Sequence, residues 1–206
     1  MAEELVIREP RETDLPRLTE IYNHYILETA VTFEVEPYTV ERRRPWLAQF
    51  AATGRYRMLV AEQAGDVVGW ANSRRFHERA AYDPTVETSI YLDHAVCGRG
   101  IGTRLYGALF DLLKDEHVHR AIGGISLPNE GSVALHRKLG FEPAGVLTEV
   151  GRKHGRWWDV AWLQKRFGFG RGASCGGIGC GVILLLLFIV LVCGTCSGTN
   201  LFHLSF

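Results

Sequence analysis

Apolar positions recur at two spacings along the first 167 residues, and the switches between them predict the elements. Residues 5–8 read as a short strand. Thr13-Asp14 then opens a helical pattern through Leu15, Leu18, Ile21 and Tyr22, with Pro16 tolerated in a first turn. The pattern predicts a second helix over 42–53 that closes near Gly54. Strands follow over 58–62 and 67–73, joined by a turn at Ala64-Gly65-Asp66. Between 85 and 93 the alternation is strict: Val86, Thr88, Ile90 and Leu92 point one way, Glu87, Ser89, Tyr91 and Asp93 the other, so one face of this strand is polar. Ile101, Leu105, Leu109, Leu112 and Leu113 return to helical spacing. A strand over 121–127, a helix over 131–139 stopped by Gly140, and a strand pair within 145–164 complete a body of α/β (α+β) class without internal repeats.

The 206 residues suffice for one ordinary domain with a tail, and a hydrophobic share of 47% supplies its core. Lys plus Arg equals Asp plus Glu at 23 each, so no global field recruits nucleic acid or an anionic membrane surface, and a charged ligand must be met locally. Of five cysteines, Cys97 alone lies in the first 170 residues, with no metal-ligand spacing or disulfide framework around it; no metal is expected. The start of the chain lacks the basic and apolar stretches of a secretory signal, and the expected location is the cytoplasm.

Cys97-Gly98-Arg99-Gly100-Ile101-Gly102 lies between a strand and a helix. There, residues without side chains let backbone N–H groups converge on phosphate oxygens beside the positive helix end. By itself this pattern fits an unliganded tight turn equally well. It is not a dinucleotide-binding fingerprint, because it follows an alternating strand in mid-chain, nor a Walker loop, because no Gly-Lys-Ser/Thr follows.

The same segment resembles the pyrophosphate loop of the GCN5-related N-acetyltransferases (GNAT), although Cys97 stands where Gln or Arg is usual. Leu135-His136-Arg137-Lys138-Leu139-Gly140-Phe141 is similar to the helix end that accompanies the thiol in that family. Across residues 5–167 the likeness narrows to the phosphinothricin N-acetyltransferase group. It is carried by Asn23-His24-Tyr25-Ile26, Ala81-Tyr82-Asp83, Glu87-Thr88-Ser89-Ile90-Tyr91, Leu127-Pro128-Asn129, and Lys153-His154-Gly155 with Trp157 and Asp159. The resemblance implies a GNAT fold with a central mixed, mostly antiparallel sheet flanked by helices. It also implies acetyl-CoA as co-substrate, a small amino-acid-like amine as acceptor, direct transfer in a ternary complex, and a homodimer. A peptide or protein N-terminal acetyltransferase, or a non-catalytic acyl-CoA-binding module, would share the same body.

Roles follow from the resemblance residue by residue. Glu87 is the implied general base, where alternation alone reads a solvated strand carboxylate. His136 takes the position from which many relatives protonate the thiolate, and His77, His117 and His119 are read as surface residues. Backbone N–H groups of Ser89, Ile90, Tyr91 and Leu92, opened by a bulge, would hold the acetyl oxygen, and Cys97 to Gly102 the pyrophosphate. Asn129 is a helix cap, a cofactor contact, or both, and Ser132 is a cofactor contact by similarity. Phe33, Arg79 and Tyr82 stand where the group gathers acceptor contacts; Arg74 and Arg75 read as a solvated hairpin end.

After Lys165-Arg166 the composition changes, and from Gly172 to Phe206 there is no charged side chain. The body is expected to end by residue 168. The uninterrupted apolar run from Val182 to Val192 rises only about 16 Å as helix, against a bilayer core of ~30 Å. Two readings of residues 169–206 stand: a membrane tether spanning about 174–195 with the enzyme left in the cytoplasm, or an extension from a shifted or read-through frame.

Overall fold

The computed structural model describes residues 4–168. The tail reading lies outside the described residues, among which no helix is long and apolar enough to cross a membrane. Seven strands form one sheet: β1 (Leu5–Arg8), β2 (Met58–Gln63), β3 (Asp66–Arg75), β4 (Thr85–Leu92), β5 (Arg120–Leu127), β6 (Glu142–Lys153) and β7 (Arg156–Arg166). Their order is β1-β2-β3-β4-β5-β7-β6, antiparallel throughout except for β4 beside β5. Four helices cover it: α1 (Leu15–Glu28), α2 (Val40–Leu47), α3 (Ile101–Leu113) and α4 (Glu130–Lys138).

Strand alternation divides the core in two. Met58, Val60, Val67 and Trp70 point to the α1 side and meet Leu18 and Ile21, with Tyr91 packed against them. Leu59, Ala61, Ala71, Val86 and Ala121 point to the other side and meet Ile101, Leu105, Tyr106, Leu109 and Leu113 of α3. Each fully buried leucine here contributes about 1.5–3 kcal/mol by leaving water. The β2–β3 turn takes Ala64 at φ 53° and Gly65 at φ 87°, the left-handed pair that matches strand twist in a two-residue hairpin.

Arg8 ties the start of the chain together. It donates to both carboxylate oxygens of buried Asp14, at 2.7 and 2.9 Å, and to Glu62 of β2 at 2.7 Å. Burial alone would push the Asp14 carboxyl up; Arg8 and the Arg11 backbone N–H outweigh that and hold it below the usual carboxylate range.

The element boundaries agree with the spacing to within two residues except at the start of β6, three residues earlier at Glu142, and at α2, which occupies 40–47 rather than 42–53. Thr39 caps it, its hydroxyl accepting from the Arg42 N–H at 3.2 Å. Pro45 withholds a backbone donor inside the helix, and the apolar spacing of Trp46, Leu47 and Phe50 continues past the helix end as packing against the α1 side of the core.

Candidate active site

The sheet opens in its middle. β4 and β5 pair over three positions only, ending at Glu87 opposite Ile122, whereas β5 pairs with β7 along its whole length. The β3–β4 ladder runs through without a register shift, so the expected bulge in β4 is absent and the opening comes from divergence of β5. Asp93 donates its N–H to Val68 across β3, and Ser73 donates away from β4 to Arg57. Alternation therefore turns the N–H groups of Ile90 and Leu92 away from β3, into the gap beyond the ladder.

A cleft of about 50 Å³ fills this gap, lined from both faces of the sheet: Ser89 and Tyr91 with Val31 of the 29–39 loop, and Thr88, Ile90, Tyr106, Ser132 and His136. Gly124, Ile125 and Ser126 of β5 and Asn129 close it. The mixed polar and apolar lining suits the reacting end of a small ligand.

On the α3–α4 side, His136 is buried, with Nδ1 2.8 Å from the Ser132 carbonyl. A carbonyl only accepts, which places the proton on Nδ1 and leaves the Nε2 lone pair toward the Tyr106 hydroxyl, 3.5 Å away. Burial pulls the imidazole below its ordinary value, so it is neutral at pH 7 and presents a lone pair at Nε2. Burial also pushes up the Tyr106 hydroxyl, which keeps its proton at pH 7. Sequence reasoning missed Tyr106; the signal was its place on the apolar face of α3, one residue after Leu105.

On the α1–α2 side, Glu87 receives a 2.7 Å hydrogen bond from Arg74, its register partner on β3. Arg74 is exposed near the end of β3, as expected, and in addition holds the Glu87 carboxylate. Arg75 remains at the edge, bonded to Tyr56 and Glu78. Tyr91 stands edge-on to Tyr22, ring centroids 5.0 Å apart, and the Tyr22 and Thr32 hydroxyls are 2.9 Å apart.

At the end of β4, Gly98 (φ 79°) and Gly100 (φ 82°) are left-handed, and a Cβ at either would meet nothing within 4 Å. The loop is exposed and its backbone open to a ligand, directly before the N-terminus of α3. A Cβ at Gly102 would come within 3.2 Å of Leu135 and 3.5 Å of Leu92, so this close approach joins loop, cleft and α4. Asn129 caps α4, its Oδ1 accepting from the Ser132 N–H at 3.1 Å.

The remaining expected residues lie outside the cleft lining. Phe33 lays its ring on Gly151 of β6, where an added Cβ would fall 2.1 Å from it. Arg79 and Tyr82 occupy the 76–84 connection, Tyr82 edge-on to Phe76 and tilted against His77.

The acetyltransferase (GNAT) domain model matches residues 7–162. The chain belongs to the GNAT family. It is 47% identical over 164 residues to phosphinothricin N-acetyltransferase of Streptomyces coelicolor, covering 79% of this chain and 96% of the relative. It is 32% identical over 158 residues to the L-methionine sulfoximine/L-methionine sulfone acetyltransferase of Pseudomonas aeruginosa, covering 77% and 92%. Among solved structures, a phosphinothricin acetyltransferase from Sinorhizobium meliloti in complex with acetyl-CoA superposes with a TM-score of 0.76 at 34% identity, covering 82% and 92%. The chain is accordingly an acyl-CoA-dependent N-acetyltransferase of GNAT fold. The open glycine loop and the inward N–H groups of Ile90 and Leu92 fit acetyl-CoA as its co-substrate.

Proposed function

We propose that this GNAT domain, residues 1–168, acetylates the amine of a small amino-acid-like acceptor of the phosphinothricin or methionine sulfone type by direct attack in a ternary complex. The observation that carries the reading is the through-sheet cleft, whose α3–α4 face holds a protonated tyrosine, while the Glu87 carboxylate lies outside its lining on the α1–α2 face of the same strand, two residues before Ser89 and four before Tyr91, which line it.

Acetyl-CoA supplies an activated thioester, and the chain does the rest. Gly98 to Gly102 with Cys97 receives the pyrophosphate, while Ser132 and Asn129 flank the arm. Arg74 fixes the Glu87 carboxylate, which takes the proton shed by the attacking amine, directly or through a water. The Ile90 and Leu92 N–H groups hold the carbonyl oxygen as charge develops on it; Ser89 and Tyr91 wall the acceptor side. As the C–S bond breaks, Tyr106 gives its proton to the departing thiolate, and neutral His136 orients that hydroxyl through Nε2. Phe33, Arg79 and Tyr82 act further out, on the rim from which the acceptor enters.

The reading includes a homodimer. β6 is an edge strand that exposes Val146, Leu147 and Val150, with Trp157 beside it on β7, and a second copy seated there would cover them. It also includes a cytoplasmic location, in keeping with the exposed free thiol of Cys97.

The test is thiol release from acetyl-CoA with phosphinothricin, methionine sulfone and a panel of amino acids, alongside the oligomeric state by sedimentation. Turnover with one of these amines is the expected result. Binding of acetyl-CoA without turnover on any of them would sink the small-amino-acid reading.

A further inference from the structure

Arg43 on α2 is only 4% exposed, yet it has no carboxylate partner among the described residues. Its guanidinium carbon lies 4.0 Å from the ring centroids of both Tyr22 and Trp46, and 5.5 Å from those of Tyr38 and Trp70. Nε has no hydrogen-bond partner, and on the same face the Oδ1 of buried Asn72 has none either. Aromatic faces attract a cation, but they do not replace an anion.

The charges of this region do not cancel. Arg43 and Arg74 both act on Tyr91, and Glu87 is the single carboxylate bonded to either. Glu34, on the loop that covers them, reaches the Tyr38 hydroxyl and lies near the Lys153 ammonium, which balances it. One positive charge is left in excess behind Tyr22 and Tyr91, and Tyr91 lines the cleft. A buried, uncompensated guanidinium at the wall of a ligand site calls for an anion from the ligand.

We infer that Arg43 is a specificity-determining residue. Its charge, acting through the Tyr22–Tyr91 wall, selects acceptors that carry a carboxylate over otherwise identical amines that do not. This rests on the acetyl-transfer reading. Arg43 does not touch the acceptor; it sets the potential in the acceptor half of the cleft. Between any two unit charges ~10 Å apart, an effective dielectric of about 20 makes the attraction worth about a tenfold preference, and the expected effect is of that order.

The test compares kcat/KM for methionine sulfone and its α-amide in the wild type, Arg43→Met and Arg43→Lys. Arg43→Met should lose about tenfold in acid-over-amide selectivity with the amide's own kcat/KM within about twofold of wild type, and Arg43→Lys should keep most of the selectivity. A parallel fall for acid and amide in Arg43→Met would mean a structural role and overturn the inference. Should Arg43→Met not fold, the wild type decides: N-acetylmethionine should inhibit about tenfold more strongly than N-acetylmethionine amide, and equal inhibition overturns the inference. Equal inhibition of an active enzyme sinks this inference alone, whereas an enzyme that acetylates none of these amines sinks the acetyl-transfer reading with it.

Discussion

On the α1–α2 face of β4, Glu87 and Tyr91 stand among Arg74, Arg43 and Tyr22; on the α3–α4 face, Thr88 and Ile90 stand by Tyr106 and His136. The first set is charged, with exposed Arg74 and part-buried Glu87 toward the rim, and the second is uncharged and buried apart from part-buried Ile90. A strand alternates its side chains by geometry, so neighbouring residues on one strand serve two environments of different dielectric character a few ångströms apart. Acid–base chemistry can use such a contrast, with a proton acceptor on one side and a proton donor on the other.

The sharpest way to break the contrast is to remove its charge. Glu87→Gln should lower kcat by about 10²–10⁴ while leaving acetyl-CoA affinity nearly unchanged, read from thiol release beside a binding isotherm. Removing the opposite pole, Tyr106→Phe should cost about 10² in kcat. A phenylalanine preserves the packing against Phe110 and Phe141, so an unchanged Tm with lost turnover would assign the loss to the hydroxyl.

Arg74→Met separates fixing Glu87 from being Glu87. We expect about a tenfold fall in kcat/KM, but a stability change below about 1 kcal/mol, because the pair is part-exposed. A stability loss several times larger would make Arg74 a structural residue.

The smallest effect on activity lies far from β4. Asp14→Asn should cost about 1–3 kcal/mol of stability at pH 7. Asp14 has a depressed folded pKa, so its contribution is present above the unfolded value near ~3.9 and fades as pH falls through the folded one. Wild-type Tm should therefore drop in that acid window, and the variant should drop less; parallel curves would refute the assignment.

Much of this contrast could be read from the sequence. Strict alternation from Val86 to Leu92 gave both faces of β4, and the glycines at 98, 100 and 102 placed the loop. The opposition of Arg74 to Glu87 could not be read, because the 76–84 connection is too long to fix the register that a short turn would fix. Tyr106 was hidden for another reason: on an apolar helix face a tyrosine looks like core, and the role proposed for it depends on a histidine thirty positions away. The parting of β4 from β5 was hidden as well. It depends on β7 occupying the other side of β5, a long-range pairing that no local pattern carries.

That parting makes the second half of β4 an interior edge strand. Edge strands ordinarily invite another chain to pair with their unused N–H groups. Here the 29–39 loop and α4 stand over the gap and leave room only for something narrow. An extended ligand with amide groups of its own fits that opening where a polypeptide strand does not. Such a ligand pairs with the folded chain and not with the unfolded one, so acetyl-CoA should raise the melting temperature in proportion to the logarithm of its concentration.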